Sequence, residues 1–190
     1  MVMTTKEMLH IVQSQLAIDL NCTIDDLNGE NDSIIFVEAK VNTGCRPFRR
    51  KARYFEIVSM GKSIVVSATP ERLLIAKTQM QGKDRDAIFS LPFIRGLYVH
   101  YLPDLERIKP IFPPENFSFE LIEKDRNLGL ASYLVNKLTF KIVELGDIPS
   151  YDVIASNLAS QRVAQRSGYF PGWVSDWRCN FERLETLPFN

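Results

Sequence analysis

Four prolines stand within fourteen positions of this chain: Pro103, Pro110, Pro113 and Pro114. Each fixes φ and removes a backbone donor, so neither a continuous helix nor a central strand can run through them. The stretch 102–116 therefore reads as a proline-rich linker or irregular crossover. It separates an N-terminal region, residues 1–101, from a C-terminal half, residues 117–190. At this length folding hides about 70% of the unfolded chain's surface, enough to bury a core without disulfides or metals.

North of the linker, residues 5–21 place Met8, Ile11, Val12, Leu16 and Leu20 at helical spacing. Residues 33–41, 53–59 and 63–68 are rich in β-branched and aromatic side chains and read as strands. Met60-Gly61-Lys62 turns the last two into a hairpin. Pro70 and Glu71 suit the first turn of a helix that runs to about Met80. Residues 85–101 read as one or two short helices interrupted by Pro92 and Gly96.

South of it, Phe117–Ile122 is a short strand, followed by a helix over 128–145. In that helix Leu130, Leu134, Leu138 and Ile142 recur every four residues, with Ala131, Val135 and Leu145 widening the stripe, the pattern of a face turned to a core. Gly146 ends it. A strand over 151–156, a helix over 157–167 and a last strand or hairpin arm over 173–181 follow. The fold class expected is α/β, mostly α+β: a mixed sheet flanked by helices. The N-terminal region is either a small α/β subdomain or a donor of strands to the same sheet.

Lysines and arginines number 23 and so do acidic residues, so no general positive surface speaks for nucleic acid or anionic membrane. The run Arg46–Arg53 is locally basic, and reads as a solvated loop ahead of a strand rather than a phosphate-binding patch. Three scattered cysteines, Cys22, Cys45 and Cys179, and two histidines, His10 and His100, form no ligand spacing, so no metal is expected. The first residues lack the charged-then-apolar order of a signal peptide, and no apolar run approaches the ~20 residues a membrane helix needs. The expectation is a soluble cytoplasmic protein with reduced thiols, its oligomeric state open between monomer and homodimer. His100, between aromatic residues, reads as packed or hydrogen-bonded.

Two blocks carry chemistry. Where strand passes to helix stands Arg126-Asn127-Leu128-Gly129-Leu130-Ala131. A glycine and small residues there leave backbone N–H groups open at the positive end of a helix dipole, a setting for a pyrophosphate that Arg126 would reinforce. Further on, Asn157 begins a helix with Ser160 three residues later and Gly168 at its end, the marks of an ordinary cap and stop. Glu120 and Glu123 flank the approach to the first block. Glu120 has two readings, a base or a solubilising charge on an edge strand.

Together the blocks resemble the GNAT superfamily of N-acetyltransferases, in a clostridial-type branch. The acetyl-CoA loop of that superfamily reads Gln/Arg-x-x-Gly-x-Gly/Ala, matched by Arg126, Gly129 and Ala131. Its later block reads Asn-x-x-Ser/Ala-x-x-x-Ala/Tyr-x-x-x-Gly-Phe, matched by Asn157, Ser160, Ala164 and Gly168, with Tyr169 in the aromatic place. The resemblance is specific over residues 126–174 and looser over 1–122. It implies acetyl-CoA as co-substrate, held by the loop from Arg126 through Asn127, Leu128, Gly129 and Leu130 to Ala131, with Asn157 and Ser160 beside the pantetheine arm. It also implies that strands 117–122 and 151–156 are parallel neighbours, and that a small-molecule or peptide amine attacks the thioester, with Glu120 placed as base. Two departures are plain. Ala164 stands where many members carry a tyrosine that protonates the leaving thiolate, and one strand precedes the loop where the superfamily has several. They support an alternative, a non-catalytic CoA-binding or interaction protein descended from an internally deleted acetyltransferase.

Overall fold

The computed structural model describes residues 3–46, 54–113 and 129–177. In chain order these form α1 (Thr5–Leu20), α2 (Ile24–Leu27), β1 (Ile34–Glu38), β2 (Phe55–Ser59), β3 (Ile64–Ala68), α3 (Pro70–Met80) and α4 (Arg85–Phe89). There follow β4 (Tyr98–Pro103), α5 (Leu130–Glu144), β5 (Tyr151–Ile154), α6 (Leu158–Arg166) and β6 (Tyr169–Asp176). The strands pair in the order β1-β3-β2-β6-β4-β5, a six-stranded mixed sheet flanked by helices, of the α+β kind expected.

Strands β2 and β3 are buried at every position. Parallel β1 sets Ile34 opposite Ile64 and Phe36 opposite Val66 on β3. The hairpin returns β3 against β2 with Val58 opposite Val65. Antiparallel β6 then sets Asp176 opposite Ile57.

Two compact units divide the chain, one comprising Leu9–Val99 with Trp173–Asn190, the other Met1–Met8 with His100–Gly172.

The first unit is built on the hairpin. Phe55, Ile57, Ile64, Val66 and Ala68 share a face with Ala76 and Met80 of α3, Ile88 of α4 and Phe93 in one buried cluster. Pro70 opens α3 as expected. Thr23 and Asp26 close a capping box at the start of α2, satisfying two orphan amides at once. Asp176, fully buried, accepts hydrogen bonds from the amides of Arg95 and Gly96 at 2.8 and 3.3 Å. Its aromatic neighbour Trp177 stacks on Tyr98 with ring centroids 4.4 Å apart.

Two expectations are corrected. Residues 98–103 form strand β4 rather than part of a helix: Tyr98, Val99 and Tyr101 are good strand formers, and β4 takes its place between β6 and β5. The last described strand begins at Tyr169 rather than at 173, because Gly168 both ends α6 and starts it. The strand expected over 117–122 lies outside the described residues, and the described neighbour of β5 is β4.

Candidate functional site

Helix α5 starts where the first block ends. Gly129 is its N-cap residue with φ +80°, a left-handed backbone that L side chains rarely adopt, and among the described residues nothing lies within 4 Å of where a Cβ would stand. The first amides of a helix have no acceptor inside it and sit at the positive end of the dipole. Leu130 is half-buried and Ala131 exposed. Arg126, Asn127, Leu128 and Glu120 lie outside the described residues, as does the basic run from 47 to 53. Arg46, at the head of that run, pairs with Asp19 of α1 at 2.5 Å.

The inner face of α5 is polar. Ser132, Asn136 and Thr139 are its buried residues, while Leu134, Leu138 and Leu145 are 51%, 58% and 69% exposed. The leucine stripe thus points outward, opposite to the expectation. The reason lies in what α5 packs against. The Asn136 side chain accepts from the amide of Ile111 at 2.9 Å and donates to the carbonyls of Lys109 and Ser167 at 3.1 and 3.3 Å. An irregular proline-rich segment and a helix end offer backbone groups without a ladder, and burying them demands polar partners. Further along, Thr139 Oγ1 lies 2.7 Å from the Tyr169 hydroxyl. Burial pushes the Tyr169 phenol above its ordinary pKa, and the Thr139 hydrogen bond works in the opposite sense.

At the second block, Asn157 Oδ1 accepts from the amide of Ser160 at 3.1 Å, so the pair is engaged in the helix cap. Ala164 is fully buried. Gly168 has φ +89°, and an added Cβ would stand 2.8 Å from Ile108, so a glycine is required there twice over. The Ser167 hydroxyl donates to the Ser132 carbonyl at 3.1 Å, which joins the first turn of α5 to the C-terminal end of α6. Asn157 lies at the other end, roughly 14 Å away along a nine-residue helix at 1.5 Å per residue. Among the described residues, the first turn of α5 and Asn157 are therefore joined through opposite ends of α6.

One juxtaposition escaped the sequence. His100 of β4, 1% exposed, sets Nδ1 2.7 Å from Oδ1 of Asp152 on β5. These residues are 52 positions apart, and only strand order brings them together. Tyr101 likewise donates to Gln161 Oε1 at 2.9 Å, and burial raises its pKa. Among the described residues no three His, Cys, Asp or Glu side chains gather as metal ligands, and no helix is long and apolar enough to cross a membrane.

Comparison of the chain with protein-family models, with characterised proteins and with solved structures found no match in any of the three.

Proposed function

We propose that this chain binds acetyl-CoA and transfers its acetyl group to a small-molecule or peptide amine in the cytoplasm. The observation that carries the reading is Gly129: a left-handed glycine with no other described residue against its Cβ position, at the head of a fifteen-residue helix, in the glycine position of an Arg-x-x-Gly-x-Ala loop. A pyrophosphate at that point would meet the first amides of α5 and the charge of Arg126. Transfer needs little from the protein beyond placement. The amine nitrogen attacks the thioester carbonyl, the C–S bond breaks, the thiolate leaves, and the amine's surplus proton passes to a base, for which Glu120 is our candidate. Holding the two reactants in contact supplies much of the acceleration, and a donor aimed at the carbonyl oxygen supplies more. The half-buried free thiol of Cys22 suits a reducing compartment.

A second reading is binding without turnover. It is favoured by the fully buried Ala164, which offers no proton, and by the Tyr169 and Tyr101 hydroxyls, both held in internal hydrogen bonds.

Melting curves test the binding that both readings require. At one hundred times its dissociation constant a ligand adds about 2.7 kcal/mol of stability. In a chain of this size that is a rise of roughly 5–10 °C. Gly129→Glu should remove the rise, because its carboxylate would occupy the place of the phosphates. Asn157→Ser, which keeps a capping oxygen, should retain it. Thiol release in the presence of a panel of amines then distinguishes transfer from binding alone. A melting point unmoved by millimolar acetyl-CoA would overturn both readings.

A further inference from the structure

The outward face of α5 carries more than scattered leucines. Leu134, Leu138, Lys141 and Leu145 follow one another at intervals of four, three and four, the seam of a helix that packs along another helix. Three of the four are large apolar side chains more than half exposed. Beside them the proline-rich segment raises a wall, with Phe112 81% exposed, and the groove between holds about 580 Å³. Contiguous exposed apolar surface of this kind marks an association face.

The charges beside the seam say what fits it. Lys137 and Glu144 occupy the same flank, seven residues apart, each just before a seam leucine. We propose that α5 pairs antiparallel with α5 of a second copy of this chain, about a two-fold axis. In that register Leu134 lies against the partner's Leu145, and Leu138 against the aliphatic stem of the partner's Lys141. Lys137 meets the partner's Glu144, and two-fold symmetry repeats the contact with the roles exchanged. On the other flank Val135 lies beside the partner's Ile142. A parallel pairing would set Lys137 against Ile142 and leave Glu144 unmatched. Glu144 already accepts from Lys141 of its own chain at 3.0 Å, and its carboxylate keeps acceptor capacity for a second lysine. The inference stands apart from the acetyl-CoA reading, and an unshifted melting curve would leave it intact.

Sedimentation equilibrium of the full chain, from micromolar to submillimolar concentration, tests it. The expected result is a reversible dimer of twice 21.8 kDa. Leu138→Glu should give a monomer with an unchanged circular dichroism spectrum, since the side chain is exposed. Lys137→Glu alone and Glu144→Lys alone should each weaken the dimer by about tenfold, because each sets like charges together at two contacts. The two changes in one chain should restore it. A monomer at every concentration, a dimer indifferent to Leu138→Glu, or a double variant no better than the single ones would each overturn the proposal.

Discussion

The interior under α3 and the interior under α5 are filled by different chemistry. Under α3, Ile57, Val66, Ala68, Met80 and Phe93 are all closed to solvent, and cohesion there is area removed from water. Under α5, the closed residues include Ser132, Asn136, Thr139 and Ser167, each tied by hydrogen bonds to a backbone group or a hydroxyl. The first interior asks only for shape and volume. The second asks that every donor find its acceptor, because an unmatched one forfeits its hydration for nothing. An apolar interior thus degrades by degrees, whereas a polar one fails at single atoms.

Substitutions can break or sharpen that contrast. Phe93→Ala should cost most, about 3–5 kcal/mol in chemical denaturation, since it empties a fully buried site beside Phe55. Asn136→Leu keeps the volume yet strands an amide and two carbonyls, and a loss of roughly 3 kcal/mol is expected. A loss below about 1 kcal/mol would mean that the second interior behaves like the first. Thr139→Val should cost about 1 kcal/mol. It should also move Tyr169 further above the ordinary phenol pKa, read by ultraviolet absorbance at alkaline pH. The sign follows from a phenol raised in the folded state: the stability tied to its neutral form is whole at neutral pH. That stability is lost as pH climbs past the ordinary tyrosine value and through the raised one. Leu134→Ser, at high dilution, should change stability by less than about 0.5 kcal/mol, being on the exposed face.

The parts of this fold that were legible are those set by neighbours in sequence. Pro70 at a helix start, the Met60-Gly61-Lys62 hairpin, the Asn157 cap and the Gly168 stop each rest on a few adjacent residues, and each stands where it was expected. The orientation of α5 was not legible, because a period of 3.6 reveals that one face is apolar and says nothing about what waits on either side. Nor was β4: its strand-forming residues end a longer apolar run that reads as helix, and only the places beside β6 and β5 show where the strand begins. Of the candidate site, Gly129 and Asn157 carried readable signals in their backbone roles. His100 beside Asp152, and Thr139 beside Tyr169, are products of packing that no spacing rule anticipates.

Asn136 also sets a clock. Its side chain, with one acceptor and two donors, does for Lys109 and Ile111 what a neighbouring strand would do, in a place where Pro110 leaves one amide fewer to pair. An amide hydrogen trades with solvent only when its bond opens. The hydrogen on Ile111 is therefore held by the lifetime of one side-chain rotamer on a helix some twenty-five residues further along the chain. Within a stretch that has no regular structure of its own, the Ile111 amide should therefore exchange with deuterium more slowly than a free loop amide.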